Sequence, residues 1–210
     1  MTIGIVQFVK SPIVDSVKTR MQPTLSENAA KALHVNLAHH VAKVLSHYKH
    51  ANTELWSSAE CEFSKNMAQT YSIPLFSQTQ GDLGARLKHA AQEALSRHQA
   101  VVIVGSDCPF LDNNYLDILL RKLHNHELVI GPASDGGYVA IAFKEFYPSL
   151  FENITWGGDQ VFLQTLQAAD VLSLSCATMT GLSDIDRPED LQLLETNKYA
   201  HLLDGVPYLH

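Results

Sequence analysis

The run Val101-Val-Ile-Val104, stopped by Gly105, sets the tightest limit on what this 210-residue chain can fold into. It is short, wholly apolar and rich in β-branched residues, which predicts a strand buried on both faces. The residues that follow, Ser106-Asp107-Cys108-Pro109, then deliver a carboxylate to the carboxyl edge of a central sheet. In an open α/β sheet that edge is where ligands bind. A hard, oxygen-only donor there suits Mg²⁺ or Mn²⁺, and those ions suit a diphosphate. The competing reading, that Asp107 only caps the next helix, is weakened by Asp112, which is better placed for that cap.

Strand and helix patterns alternate along the whole sequence. Ile3–Val9 reads as a strand and 10–22 as a loop. Thr24 and Glu27 form a T-x-x-E capping signal, and Leu33, Leu37, Val41, Val44 and Tyr48 recur at helical spacing. A strand is expected over 52–58, a short helix over 61–71, and a helix from the Gly84 region to about Arg97. After the Val101 strand come a helix from Asn113 to Leu123 and strands at 128–131 and 137–143. A helix over 158–169, a strand over 171–175 and a late helix opened by Pro188 complete the pattern. This predicts one α/β domain spanning 1–210, Rossmann-like, with helices on both faces of a mostly parallel sheet.

Composition narrows the partners. A formal charge of −7 argues against a nucleic-acid or anionic-membrane surface, which would reward a basic face. The cysteines Cys61, Cys108 and Cys176 are scattered without a C-x-x-C pair, so a disulfide framework or zinc site is not expected and a reducing cytoplasm fits. Cys108 has no base beside it in sequence to make it a nucleophile. The chain opens directly into a strand without a signal-peptide pattern, and no apolar run approaches spanning length. Of the 11 histidines, His34, His39, His40, His47 and His50 crowd one expected helix and its end. A solvated face is the plainer reading of that cluster, and metal binding the sharper one.

Four polar clusters fall on loops that follow strands. The first, 10–20, carries Lys10, Lys18 and Arg20, cations able to meet a pyrophosphate if the loop folds over the strand end. The second contains Gly81, Asp82, Gly84 and Arg86, where glycines could let backbone approach a ligand or simply make turns. The third, Gly131-Pro-Ala-Ser-Asp-Gly-Gly-Tyr138, is first of all a hairpin signal. Its functional reading makes Asp135 a candidate base, with Gly136, Gly137 and Tyr138, and Trp156 further on, beside an acceptor. The fourth, Asp184-Ile-Asp-Arg-Pro-Glu-Asp190, offers Asp186 as a helix cap or, if its loop returns to Asp107, as a second metal ligand.

In this order the clusters resemble the glycosyltransferase A-type nucleotide-diphospho-sugar transferase superfamily. More closely, the chain is similar to a bacterial family of small proteins named as glycosyltransferases, some linked by name to arsenosugar biosynthesis. The resemblance rests on Phe8-Val-Lys-Ser-Pro12 with Val17-Lys-Thr-Arg20, Gln80-Gly-Asp-Leu-Gly-Ala-Arg-Leu87, Gly105-Ser-Asp-Cys-Pro109, Gly131–Tyr138 and Asp184–Leu191. It implies a nucleotide over the carboxyl ends of the first strands, with Ser106, Lys18 and Arg20 on the phosphates and Asp107 on the metal. It also implies Asp186 as the second ligand. Where that family has glycine before Val-Lys-Thr-Arg, this chain has Asp15-Ser16, and a carboxylate there repels a diphosphate unless it points away or binds the metal.

Two enzyme functions follow from this reading. One is a metal-dependent glycosyltransferase using a nucleoside diphosphate sugar and a small-molecule acceptor. The other is a guanylyl- or cytidylyltransferase that consumes a nucleoside triphosphate and releases pyrophosphate. A non-catalytic nucleotide-binding relative is the third expectation, and homodimerisation is left open.

Overall fold

The computed structural model describes residues 2–22, 24–195 and 198–208. Seven strands, β1 (Ile3–Val9), β2 (Asn52–Ser57), β3 (Leu75–Ser77), β4 (Ala100–Val104), β5 (Leu128–Pro132), β6 (Tyr138–Phe143) and β7 (Cys176–Thr178), form one sheet in the order β3-β2-β1-β4-β6-β5-β7. All neighbours are parallel except those of β6, which runs antiparallel to β4 and β5. The expected α/β architecture with a mostly parallel sheet is therefore present.

The β4 run behaves as its composition demands. Val102 and Val104 join a core with α1 (Glu27–His47) and α4 (Asn113–Asn125) on one face. Val101 and Ile103 join a second core on the other, with α3 (Leu83–Leu95) and α5 (Val161–Val171). All four are at most 3% exposed, so each contributes roughly 1.5–3 kcal/mol of burial. α2 (Glu62–Tyr71) packs at the β2–β3 side, where Met67 meets Leu55 and Val9.

Several local expectations are corrected. Ser26, not Thr24, caps α1, because its hydroxyl accepts from the Ala29 N–H at 3.2 Å. Glu27 instead pairs with Lys31 one turn on. Leu45 rather than Val44 is the buried residue in the last turns of α1. The helix stops at His47, so His50 lies beyond it and packs against the Tyr48 ring. α5 continues through Val171, and the strand expected over 171–175 forms at Cys176–Thr178. The segment after Pro188 is a 3₁₀ helix, Pro188–Leu193. β3 was not expected, since three residues show no period. Asp112 does cap α4, accepting from Tyr115 N–H at 2.9 Å. Among the described residues no helix is long and apolar enough to cross a membrane.

Candidate active site

The site forms where β1, β4 and the β5–β6 hairpin end together. Asp107 follows β4 by three residues. The chain after β7 returns along the same edge: Leu182 bridges Ala133, and the Ile185 N–H donates to the Asp107 carbonyl at 2.9 Å. Ile185 is fully buried, which anchors this return and leaves Asp184 and Asp186 flanking it. Asp186 is fixed further by Asp190, whose carboxylate accepts from the backbone N–H groups of Asp186 and Arg187 at 2.9 and 2.7 Å.

Asp107 and Asp186, separated by most of the sequence, meet around one positive charge. That charge is the Lys18 ammonium, 2.9 Å from Asp107 Oδ1 and 3.5 Å from Asp186 Oδ1. The Lys18 side chain is 1% exposed, and its backbone sits in the left-handed region at φ 53°, a conformation that costs a non-glycine residue energy. Arg20 donates to Asp186 Oδ2 at 3.0 Å and to the Gly157 carbonyl at 3.3 Å. His34 Nδ1 lies 3.6 Å from Asp107 Oδ1. Burial alone would push the Asp107 carboxyl up, but Lys18 and His34 hold it well below the usual carboxylate range.

Asp15, the departure in the first loop, points away from this centre. Its carboxylate accepts from the Ser11 N–H at 3.2 Å and from the Ser58 hydroxyl. It closes the loop instead of facing an incoming phosphate.

In front of Asp107 lies a cleft of about 200 Å³ lined by Asp107, Asp135, Asp184, Gly137, Tyr138 and Trp156 together with Gly105, Gly157, Gly158 and apolar side chains. Among the described residues its lining holds three aspartates and no Lys, Arg or His. Asp184, which sequence reasoning passed over in favour of Asp186, carries the clearest electrostatic signature. Burial first, then the Asp135 and Asp107 carboxylates, push its carboxyl up to about 6. The signal was present in Asp184-Ile-Asp186: alternation around a buried Ile185 sends both acids to the opposite side of an extended segment.

The remaining candidates divide. Gly137, Tyr138 and Trp156 line the cleft, with the two rings edge to face at 6.4 Å between centroids. The Tyr138 hydroxyl is buried without a hydrogen-bond partner among the described residues. Asp135 is exposed, and one of its oxygens accepts from Gly137 N–H at 2.9 Å, as the turn reading requires. Gly136 is not in the lining. Its φ is +91°, its carbonyl accepts from Phe162 N–H, and a Cβ there would meet the Asp159 carbonyl at 2.0 Å, so its role is the docking of the α5 approach.

In the second loop the side chains make contacts within the fold. Asp82 caps α3 through Ala85 N–H, and Arg86 ties down the Gly81 carbonyl at 3.0 Å and Gln78 at 3.5 Å. Gly84 makes room for the Trp156 indole, since a Cβ would lie 2.3 Å from its Nε1 and 2.7 Å from the Phe151 carbonyl. Ser106 is 4% exposed, its hydroxyl donating to the Phe8 carbonyl and accepting from Gln7. Lys10 is exposed with no side-chain partner among the described residues; its carbonyl pairs with His34 Nε2 at 2.9 Å. The Cys108 thiol is pushed up to about 12 by burial, which removes it as a nucleophile at neutral pH.

Among the described residues no three His, Cys, Asp or Glu side chains assemble into a metal-binding group. The donors at the cleft are nevertheless hard oxygens. Asp107 keeps 41% of its side chain exposed while Lys18 holds its other oxygen, and Asp184 bears repulsion from Asp135 and Asp107 that Lys18 offsets only in part. Mg²⁺ is commonly held by one or two carboxylates with phosphate oxygens completing the shell. Asp107 and Asp184 fit that description.

The seven-stranded α/β fold matches the nucleotide-diphospho-sugar transferase fold, with its Rossmann-like architecture. A crystal structure from Desulfovibrio desulfuricans G20, provisionally named a nucleotide-diphospho-sugar transferase, matches with a TM-score of 0.85 at 26% identity, covering 98% of this chain and 99% of that one. The chain belongs to a family described as uncharacterized protein conserved in bacteria (DUF2064), whose model matches residues 23–158. The 2-phospho-L-lactate guanylyltransferase of Methanocaldococcus jannaschii is 25% identical over 200 residues, 91% of this chain and 83% of that protein. Glucosyl-3-phosphoglycerate synthase from Mycobacterium tuberculosis, solved with Mn²⁺, UDP and glucosyl-3-phosphoglycerate, shares the fold at a TM-score of 0.56 and 12% identity, over 98% of this chain and 81% of that one.

Two expectations follow directly. Ionising Asp184 costs folding energy, because its folded carboxyl titrates near 6 against an ordinary value of 3.8. Stability is therefore lost as pH rises from about 4 through 6, by on the order of 1–2 kcal/mol after allowing for its partial exposure. Asp184→Asn should match the parent near pH 4 and exceed it at pH 7.5 in urea unfolding without metal. Parallel pH curves for the two proteins would refute the assignment. Gly84→Ala should displace the Trp156 indole, giving altered tryptophan fluorescence and weaker binding in the cleft. An unchanged emission spectrum would contradict the packing role given to Gly84.

Proposed function

We propose that this protein is a divalent-metal-dependent transferase that moves a sugar from a nucleoside diphosphate donor to the hydroxyl of a small acceptor. The observation that carries this reading is the convergence of Lys18, Asp107, Asp186 and Arg20 beside a cleft whose lining carries only negative charge. Arg20, half exposed, supplies positive charge for the donor phosphates at one end, and the enclosed Lys18 ammonium holds Asp107 and Asp186 in place behind it. The acceptor end, with Asp135 and Asp184 and no cation, disfavours an anionic nucleophile and suits a neutral hydroxyl.

When bound, Mg²⁺ or Mn²⁺ would be held by Asp107 and Asp184 and would offset charge on the diphosphate leaving group. This chain's own side chains do the rest. Asp186 positions Lys18 and Arg20. The Trp156 and Tyr138 rings form a wall that excludes water from the reacting face. Asp135, with one oxygen held by Gly137 N–H, has the other free to take the acceptor proton.

A second reading is nucleotidyl transfer, favoured by the similarity to a guanylyltransferase over 91% of the chain. Incubation with a panel of nucleoside diphosphate sugars, Mn²⁺ and hydroxylated acceptors tests the first reading by release of nucleoside diphosphate. Pyrophosphate released from a triphosphate, with no turnover of any nucleotide sugar, would establish the second reading in its place.

A further inference from the structure

A second, larger groove of about 730 Å³ lies on the other side of α1, bounded by α1, the start of α4 and the 3₁₀ turn Ala200–Leu203. Its lining contains His39, His40, His47 and His201 together with Asp112. The proposed transferase chemistry uses none of them.

His40 is prepared in a particular way. Its Nε2 lies 3.1 Å from the Pro109 carbonyl, and a carbonyl can only accept, so Nε2 carries the proton. In the neutral ring this leaves Nδ1 with a free lone pair. A ring nitrogen whose partner N–H donates to a backbone carbonyl is the usual state of a metal-ligating histidine, because the donation fixes tautomer and orientation and raises ligand basicity. Burial also lowers the His40 imidazole, which favours the neutral form.

His201 stands opposite, exposed, on the 3₁₀ turn. Its ring centroid is 5.8 Å from that of His40 and tilted by 44°. Two imidazoles bound to one ion at an M–N distance of about 2.0–2.1 Å place their centroids roughly 5–6 Å apart. The observed centroid spacing falls within that range. His47, two turns along α1, instead holds the Lys43 carbonyl through Nδ1 at 2.7 Å.

We propose that His40 and His201 form a two-histidine binding site for a borderline divalent transition ion of the Zn²⁺ type, with its remaining positions open to water or a small ligand in the groove. Nitrogen donors select such an ion over Mg²⁺, which the oxygen-only cleft prefers. The two sites are thus chemically distinct on one chain. The proposal stands independently of the transferase reading.

The test is a Zn²⁺ titration of the whole protein in excess Mg²⁺, followed by the ring nitrogen resonances of each histidine. The expected result is one-to-one binding that shifts His40 Nδ1 and a His201 nitrogen, leaving His34 beside Asp107 unmoved. His201→Ala, at an exposed position, should weaken binding by about tenfold or more, and His40→Gln likewise. His47→Ala should leave the affinity unchanged. Shifts confined to His34 or to neighbours of the cysteines, or full affinity in His201→Ala, would overturn the proposal.

Discussion

Replacing Lys18 with methionine is expected to lower the unfolding temperature by roughly 10 °C. The ammonium is enclosed and its removal leaves Asp107 and Asp186 facing one another. Breaking one partner out of a buried ion pair typically costs about 3–5 kcal/mol, and a chain of this size loses about 2–4 °C per kcal/mol. His34 and Arg20 soften the loss only in part, since each reaches one of the two carboxylates. Lys18→Met combined with Asp107→Asn should recover several degrees by removing one of the opposed charges. Differential scanning calorimetry of the three proteins decides the matter. A Lys18→Met protein as stable as the parent would show that the cluster is not a stabilising element.

Asp107→Asn alone has the second large effect, on binding rather than on folding. Asp186 still pairs with Lys18, so the fold should hold. What goes is the carboxylate that combines cleft exposure with a position after the central strand. Metal-dependent affinity for a nucleoside diphosphate should fall about 100-fold or more, the scale on which one strong electrostatic contact acts in an excluded site. Any residual binding seen without metal should change little. If Asp107→Asn binds nucleotide and Mn²⁺ as tightly as the parent, Asp107 is a structural partner of Lys18 and nothing more.

The architecture was legible because the sheet strands are buried on both faces. Val101–Val104 could not belong to a half-wetted strand, and Asp107 followed from the strand it terminates. The return of the Asp184–Asp190 segment towards Asp107 was legible only as a condition, since it depends on Ile185 sinking into a core built from α1 and the carboxy-terminal turns. The same alternation that buries Ile185 marks Asp184 as well as Asp186, and it went unused. Glycines were harder to assign. Gly81-Asp-Leu-Gly84 has the composition of a ligand loop, yet Gly84 serves the Trp156 indole and Asp82 a helix start. Ser106 sits beside Asp107 in sequence but faces β1, because adjacent residues leaving a strand point opposite ways. Proximity in sequence to a functional residue carried no information there.

Calorimetric titration of nucleoside diphosphates with and without Mn²⁺ tests the central claim most directly. Heat of binding that requires the ion, and that fades below pH 6 as Asp184 takes up its proton, is the expected result. No heat with any of the common nucleotides in the presence of Mg²⁺ or Mn²⁺ would contradict it.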